Sequence, residues 1–125
     1  GYLDMAWHSI AELPAEGTVE FEQKVLSKYP VMPAVEGAAF STSFSHIFSG
    51  GYSAGYYSYK WAEVLEADAF SLFKEKGIFN TEVSGSFREN ILSKGGTEEA
   101  SVLYRNFRGH DPEPQALMEK LGLVK

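Results

Sequence analysis

The sequence predicts an all-α fold, and three observations support this prediction. Apolar residues recur at helical spacing through most of the chain, glycine and proline interrupt them at short intervals, and no segment shows the alternation of a half-buried strand. The 125 residues fit one domain with a modest core. With 44% hydrophobic and 22% charged residues, the composition is typical of a folded chain, not of a disordered one.

The first helix is predicted at the very start of the chain. Leu3, Trp7 and Ile10 repeat at helical spacing, yet no capping residue precedes them. We therefore expect residues 1–9 to be the end of a helix that belongs to a longer chain. Residues 10–17 are predicted to form a loop, because they contain a proline and end in a glycine.

A second short helix is predicted to begin after this loop. Thr18 is the expected N-cap, and the helix is expected to end near Lys28. Its apolar stripe consists of Phe21, Val25 and Leu26. Pro30 and Pro33 then exclude regular structure through about Ala34, since proline lacks the backbone N–H and restricts its predecessor.

The central part of the chain predicts a loop followed by the longest helix. Residues 37–49 are rich in small and hydroxyl side chains and are expected to be mainly loop, with room for a helical turn. The long helix is predicted from about Ala54 to Lys76. Gly77 is the expected left-handed cap at its end.

Three further helices are predicted downstream. Asn80 or Thr81 can cap a helix that runs to about Lys94, and Thr97 is the expected cap of the next one, which Gly109 ends. The residues expected to be buried in the first of these are Phe87, Ile91 and Leu92. The second is expected to carry Glu98 and Glu99 in its first turn and Ala100, Leu103 and Phe107 on its inner face. A last short helix after Pro112 and Pro114 is expected to turn Leu117, Met118 and Leu121 inward.

Charge and cysteine content exclude several classes of partner. The net charge of −6 and a pI near 5.0 argue against nucleic acid or an anionic membrane surface as the partner. The absence of cysteine excludes disulfides and cysteine-based metal sites. No apolar run approaches the length of a membrane span and no signal peptide opens the chain, so we expect a cytoplasmic protein, with the periplasm as the alternative.

The stretch from Phe44 to Phe73 carries the most unusual pattern in the chain. If the helix begins at about Tyr52, then Tyr52, Tyr56 and Tyr59 share one face. Phenolic hydroxyls in a cleft can donate to a substrate carbonyl or to a developing oxyanion. The other face is expected to be the core side and consists of Tyr57, Trp61, Val64, Leu65, Asp68 and Leu72. Taken alone, an aromatic stripe is more often core than site.

The residues do not supply a complete catalytic apparatus. The three histidines, His8, His46 and His110, stand in no HExxH pattern, and neither a GxSxG elbow nor a phosphate-binding loop is present. His8 follows Trp7 near a helix end and is expected to be structural. Glu63, Glu66 and Asp68 are expected to form a solvated acidic face.

A specific family resemblance changes this assessment. The stretch FSHIFSGGYSAGYYSYKWAEVLEADAF closely resembles the C-terminal part of the thimet-oligopeptidase-like zinc metallopeptidases. The likeness continues through KGIFN, SFRENILSKGGTEE, LYRNFRGHDPEP and ALMEKLGL, and it covers nearly all of the chain. The upstream segment LDMAWHSI is more similar to the bacterial peptidyl-dipeptidase branch of the family than to the oligopeptidase A branch.

The resemblance implies a mostly helical peptidase with a deep substrate channel between two halves. In the family, zinc is bound by an HExxH helix and a later glutamate, and both precede the part seen here. We therefore expect no zinc ligands and no bound zinc in this chain, and no activity from it alone. Carried over residue by residue, the implied catalytic residues are Tyr59 and Tyr52. The implied substrate-binding residues are His46, Gly50, Gly51, Tyr52, Tyr56 and Tyr59, with Tyr56 the weakest of the tyrosines.

The implied parent protein is a zinc peptidase that releases dipeptides from the C-terminus of short peptides. Its expected partners are peptide substrates and the missing N-terminal part of the same protein. Two alternatives stay open: an endopeptidase parent of the oligopeptidase A kind, and a stand-alone helical module that binds a peptide or sugar. If half of the protein is missing, we expect an exposed apolar surface, with Leu3, Trp7 and Ile10 as its candidates.

Overall fold

The computed structural model describes residues 1–29, 32–33 and 35–124, and in these residues the fold is all-α, as predicted. The α-helices are α1 (Tyr2–Ser9), α2 (Thr18–Leu26), α3 (Ser58–Lys76), α4 (Thr81–Phe87), α5 (Ala100–Arg108) and α6 (Gln115–Lys120). Two 3₁₀ turns cover Phe40–Thr42 and Ser45–Ile47, and a π-helical segment covers Arg88–Leu92. The chain divides into two compact units, Gly1–Tyr59 and Lys60–Lys125.

The first unit is built on α1 and α2. Leu3, Phe21 and Ile47 are buried, and the ring of Trp7 packs on Phe21 with centroids 4.3 Å apart. The indole N–H of Trp7 also donates to Ser41 Oγ at 2.7 Å. The predicted exposed surface is therefore wrong for Leu3, which is buried, and for Trp7, which is half-buried against Phe21, whereas Ile10 is exposed as predicted.

The start of α2 differs from the prediction. Thr18 is already the first helical residue, and Gly17 is the N-cap, with a φ of +94°. Glycine adopts this conformation without the steric penalty of a Cβ, so the chain leaves the loop one residue earlier than the hydroxyl pattern indicated. The helix ends at Leu26, before the predicted Lys28. The expectation for residues 30–34 falls partly outside the described residues.

The long helix α3 also begins later than predicted. It starts at Ser58, four residues after Ala54, and ends at Lys76 as expected. Ala54 has a φ of +55°, which is incompatible with a right-handed helix. Gly77 has a φ of +106° and lies in the left-handed region, as the prediction required.

The second unit is organised around α5. Leu103, Tyr104 and Phe107 are buried on its inner face, and Phe107 packs against Phe87 with ring centroids 5.1 Å apart. Ala100, which was predicted on this inner face, is exposed because it is the first residue of the helix. Gly109, with a φ of +87°, ends α5 as predicted.

The cap predictions in this unit divide into one success and one error. Asn80 caps α4, since its side chain accepts from the N–H groups of Glu82 and Val83. Thr97 does not cap α5: Glu99 occupies the N-cap position, and Thr97 Oγ1 instead donates to Lys94 O at 2.6 Å. Consequently the two glutamates expected in the first turn of α5 precede the helix.

Several residues predicted as inward-facing are exposed. Arg88–Leu92 adopts a π-helical conformation, whose wider turn changes the direction of the side chains that follow α4, and Leu92 is 66% exposed. Tyr57 precedes α3 and Trp61 lies in its first turn, and both are about half exposed. Leu121 follows α6 and is also exposed.

Asp68 had two conflicting predictions, a place on the core side of the long helix and a place on a solvated acidic face. The first is confirmed and the second is wrong, because Asp68 is 4% exposed. Tyr104 donates its hydroxyl to Asp68 Oδ2 at 2.6 Å, and the Arg108 guanidinium lies 3.6 Å from Oδ1. A hydroxyl donor and a cation from α5 compensate the buried carboxylate. Glu63 and Glu66 stay near the surface, where each pairs with a lysine.

Candidate functional site

The first unit brings the predicted site residues together in one aromatic cluster, which we call the tyrosine cluster: His46, Tyr52, Tyr56 and Tyr59. The rings of the three tyrosines lie 5.4–5.6 Å apart from centroid to centroid. The His46 ring lies 6.0 Å from Tyr52 and 6.1 Å from Tyr56. These distances are typical of aromatic side chains in direct contact.

A turn, not a helix, creates the cluster. The sequence analysis placed the three tyrosines on one helix face, but residues 51–57 form consecutive turns and only Tyr59 lies in α3. The N–H of Gly55 donates to Tyr52 O at 2.9 Å, and the N–H of Ser58 donates to Gly55 O at 3.0 Å. The predicted proximity is therefore confirmed, while the predicted backbone is wrong.

The two glycines before the turn have different conformations. Gly50 has a φ of +106°, which only glycine adopts readily. Gly51 has no positive φ, and an added Cβ at either position would meet no atom within 4 Å. At Gly50 the backbone conformation favours glycine. At Gly51 it does not, and the space beside both glycines is open.

The hydroxyls of Tyr52 and Tyr59 form the chemically distinctive pair of the site. Their oxygens lie 2.6 Å apart, and Tyr59 is about half exposed. The hydrogen bond with Tyr52 raises the pKa of Tyr59, and partial burial and the neighbouring phenols raise that pKa further. The Tyr59 hydroxyl is therefore neutral at physiological pH. Since one of their two protons is used between them, the other is available to an external oxygen.

His46 lies at the rim of the cluster. Its ring stacks on Phe44 with centroids 5.0 Å apart, and the residue is exposed on a 3₁₀ turn. Phe44 in turn contacts Tyr56 edge to face at 4.9 Å. The ring of His46 is thus held by aromatic packing, while its polar edge is open to a ligand.

Asp4 is a site-supporting residue that the sequence analysis did not identify. It is 1% exposed, and its two carboxylate oxygens accept from the N–H groups of Ala54 and Tyr56, each at 2.9 Å. His8 Nδ1 lies 3.0 Å from Asp4 Oδ1, so His8 has the structural role expected of it. An acidic residue in the first turn of a helix usually interacts with the helix dipole, so its position in the sequence carries no sign of this burial.

The environment of Asp4 favours the ionised carboxylate. Burial alone raises the pKa of Asp4, but the hydrogen bonds from Tyr56 and Ala54 and the proximity of His8 outweigh it and hold this pKa below its usual range. The turn that carries the tyrosines is therefore anchored by a charge.

Glu22 performs a similar task for Phe40 and Ser41, which precede His46 in the chain. Its carboxylate is buried and accepts from the N–H groups of Phe40 and Ser41 at 2.6 and 2.8 Å, and from Ser41 Oγ at 2.6 Å. Burial raises the pKa of Glu22, and the hydrogen bonds from Ser41 and Phe40 more than offset this, so its pKa is also lowered. Glu22 was not identified from the sequence either.

The described residues do not form a metal site. Across residues 1–29, 32–33 and 35–124, no group of three or more histidine, aspartate or glutamate side chains could hold an ion. The neighbours of His46 are aromatic rings, which are not ligands that zinc prefers. The residues present therefore do not fit a zinc centre, and no chemical step is assigned to zinc in this chain.

The second unit contains an apolar cavity of about 1060 Å³ that sequence reasoning missed. Its walls include Leu65, Phe70, Phe73, Ile91 and Leu103. Within the part of the chain that the structure describes, each helix is too short or too polar to serve as a membrane span.

The fold and the sequence together define the class of this protein. Residues 1–123 match the family described as peptidase family M3. The chain therefore belongs to peptidase family M3, and the predicted resemblance to thimet-oligopeptidase-like metallopeptidases is confirmed.

Individual relatives carry more specific names. The chain is 55% identical to oligopeptidase A of Escherichia coli over 93 residues, which cover 74% of the chain and 14% of that protein. It is 41% identical to dipeptidyl carboxypeptidase of Salmonella typhimurium over 123 residues, which cover 97% of the chain and 18% of that protein. It is 46% identical to the probable cytosolic oligopeptidase A of Arabidopsis thaliana over 114 residues, which cover 88% of the chain and 16% of that protein. The chain thus spans about a seventh to a fifth of the length of these relatives.

Proposed function

We propose that this chain is the substrate-binding, C-terminal part of a zinc-dependent metallopeptidase that hydrolyses short peptides. Membership of peptidase family M3 supports the reaction class. The observation that carries the assignment to these residues is the pair of hydroxyls of Tyr52 and Tyr59, whose oxygens lie 2.6 Å apart beside the exposed His46. The metal and the water that it activates would be held by residues outside this chain.

The tyrosine pair is suited to the charge that develops during peptide hydrolysis. Attack on a scissile carbonyl converts its oxygen into an oxyanion, and a neutral donor already in place stabilises that charge. The raised pKa of Tyr59 keeps its proton on the oxygen through the physiological range. In this proposal Tyr59 donates to the oxyanion, directly or together with Tyr52.

The remaining residues of the site would hold the peptide. The exposed edge of His46 offers a nitrogen to a substrate carbonyl or carboxylate. The open space at Gly50 and Gly51 allows a peptide backbone to approach the loop closely. Tyr56 packs against both functional tyrosines and against Phe44, so we assign it mainly to the wall of the site.

A substitution of Tyr59 tests the catalytic role. In the full-length peptidase that contains this chain, Tyr59→Phe is expected to lower kcat by about 10²–10³, the usual cost of removing one oxyanion donor. KM should change less, because the lost interaction strengthens only in the transition state. Steady-state kinetics on a blocked tetrapeptide would measure both constants.

Tyr57 supplies a matched control for this experiment. It lies two residues before Tyr59 in the sequence and is about half exposed, like Tyr59, but it lies outside the tyrosine cluster. Tyr57→Phe removes the same hydroxyl group and is expected to leave kcat close to that of the wild type. A kcat for Tyr59→Phe within threefold of wild type would contradict the assignment.

We further propose that the parent releases C-terminal dipeptides. The relative named dipeptidyl carboxypeptidase, which covers 97% of this chain, supports this choice. The higher identity to oligopeptidase A over a shorter span supports the alternative, an endopeptidase. Comparing a peptide that has a free C-terminal carboxylate with its amide decides between them. Dipeptide release that is lost on amidation supports an exopeptidase, and equal internal cleavage of both peptides contradicts it.

We also propose the cytoplasm as the compartment of the parent protein. The printed name of the Arabidopsis relative, probable cytosolic oligopeptidase A, supports this choice. Cell fractionation with an antibody against this chain would test it, and recovery in a periplasmic fraction would contradict it.

A further inference from the structure

We propose that Asp4 is a positioning residue of the peptidase site, and this inference rests on the proposed function of the tyrosine cluster. In this proposal the carboxylate of Asp4 sets the backbone of the turn over residues 52–57. That turn determines where the hydroxyls of Tyr52 and Tyr59 meet. Asp4 contacts neither hydroxyl and acts through the backbone alone.

The geometry of the carboxylate supports a dedicated anchor. Each oxygen accepts from a different backbone N–H, one from Ala54 and one from Tyr56, although these residues lie 50 and 52 positions away in the chain. Two bonds from one planar group fix both the position and the orientation of the turn. A single bond would leave the turn free to rotate about it.

The burial of Asp4 indicates that its charge is retained for a specific purpose. A carboxylate that is 1% exposed loses nearly all of its hydration, which is unfavourable unless the protein replaces it. Two backbone N–H groups and the ring of His8, 3.0 Å away, provide the replacement. An apolar side chain at this position would leave the N–H groups of Ala54 and Tyr56 without this acceptor, and an unpaired buried amide is unfavourable.

The backbone at Ala54 explains why the turn needs an anchor. Ala54 has a φ of +55°, and alanine is disfavoured there because its Cβ crowds the backbone. Its methyl side chain has no polar atom with which to stabilise this conformation. The N–H of Ala54 instead donates to Asp4, so the hydrogen bond holds the residue in the conformation that starts the turn.

The turn connects this anchor directly to the hydroxyl pair. Tyr56, whose N–H binds Asp4, also packs its ring against both Tyr52 and Tyr59, with centroids 5.6 and 5.4 Å away. A shift of the backbone at Tyr56 would therefore disturb the packing of both Tyr52 and Tyr59. Because donors act only when they are placed to within a fraction of an ångström, such a shift would weaken catalysis without removing a catalytic group.

The first experiment measures hydrogen exchange in the full-length peptidase. In Asp4→Asn, one amide loses its acceptor and the charge is removed, so exchange in the segment 52–57 is expected to rise about tenfold or more. Glu22→Gln is the matched control, because Glu22 is also a buried carboxylate that accepts from two backbone N–H groups. It should accelerate exchange near Phe40 and Ser41 and leave the segment 52–57 unchanged.

The second experiment measures coupling between Asp4 and Tyr59. Asp4→Asn is expected to lower kcat by about tenfold to a hundredfold, as misplacement of catalytic groups does. In that background Tyr59→Phe should cost about tenfold less than it does in the wild type, because the hydroxyl is already displaced. Glu16→Gln, which removes an exposed carboxylate of the same unit, is expected to leave kcat unchanged.

The two readouts separate the inference from the proposed function. Unchanged exchange in the segment 52–57 overturns the inference whatever the kinetics show, and additive effects of the two substitutions on kcat overturn it as well. If Tyr59→Phe alone leaves kcat near wild type, the proposed function fails, and the exchange measurement still decides whether Asp4 sets the turn. Should Asp4→Asn not fold, Asp4→Glu is judged by the same criteria, since the added methylene displaces the carboxylate from the two amides.

Discussion

Asp4 and Glu22 connect the core of the first unit to the segments that carry the site. Each carboxylate accepts from two consecutive or nearly consecutive backbone N–H groups, at residues 54 and 56 for Asp4 and at residues 40 and 41 for Glu22. These segments contain little regular structure, so their N–H groups have few partners in their own backbone. The buried carboxylates supply those partners and thereby order the loop.

The lowered pKa values of these two residues predict an acid-sensitive first unit. A carboxyl whose pKa is lower in the folded state than in the unfolded state stabilises the fold above its unfolded pKa. This stabilisation is expected to be complete above about pH 5 and to fall as the pH drops below about 4, the ordinary range of aspartate and glutamate. Urea unfolding of the full-length peptidase, followed by the fluorescence of Trp7, would measure it between pH 6 and pH 3.

Single substitutions separate the two contributions. Asp4→Asn and Glu22→Gln should each be less stable than the wild type at pH 6 and should lose less stability on acidification. A variant whose stability falls with pH as steeply as that of the wild type would show that the substituted carboxyl does not cause the dependence.

At the scale of elements, helix starts show which sequence signals are dependable. Asn80 is a cap in the structure, whereas Thr18 and Thr97 are not, although asparagine and threonine are both favoured at N-caps. At Thr18 a glycine with positive φ takes the cap position, and at Thr97 the turn hydrogen bond to Lys94 O uses the hydroxyl. A residue of a favoured type therefore caps a helix only where the backbone directs its side chain towards the first N–H groups of that helix.

A pair of alanine substitutions tests this distinction. Asn80→Ala removes the acceptor of two N–H groups and is expected to lower the free energy of unfolding by about 1 kcal/mol. Thr97→Ala, which the sequence would rank as equally harmful, is expected to cost clearly less, because its hydroxyl bonds only to the carbonyl of an exposed turn. Denaturant unfolding of both variants would provide the comparison. Equal losses would mean that Thr97 supports α5 after all.

At the scale of the whole molecule, exposed apolar side chains are the prominent feature. Five large apolar side chains are exposed by about two thirds or more: Leu13, Met32, Phe79, Leu92 and Leu123. The second unit also carries an apolar cavity of about 1060 Å³. The proposed function, in which this chain is one part of a longer peptidase, predicts that this surface packs against the rest of that protein.

The isolated 125-residue chain is accordingly expected to associate with itself and to be inactive. Light scattering should detect oligomers, a dye for apolar surfaces should bind, and purified chain supplied with zinc should neither retain it stoichiometrically nor cleave a blocked tetrapeptide. A monomer that binds a peptide or a sugar would instead favour a stand-alone binding module. Tight zinc at about one per chain would mean that His8, His46 or His110 forms a site, and the roles assigned from the family would then be withdrawn.

The sequence by itself determined the helical class, the ends of α3 and α5 at Gly77 and Gly109, and the grouping of His46, Tyr52, Tyr56 and Tyr59. These features depend on local signals, namely glycine conformation, helical spacing and one specific motif, so neighbouring residues are enough to reveal them. Whether the residues of this group do what the family motif implies stays a prediction.

Only the tertiary structure decided which carboxylates are buried and what they hold. Asp4 and Glu22 look like ordinary acidic residues of helices, but each is buried against partners that lie 18 to 52 positions away. The burial of Asp4 also explains why α3 begins later than predicted. The N–H groups of Ala54 and Tyr56 bind Asp4, and a turn replaces the first part of the predicted helix. Long-range hydrogen bonds of this kind follow no periodic pattern in the sequence, so only the tertiary structure reveals them.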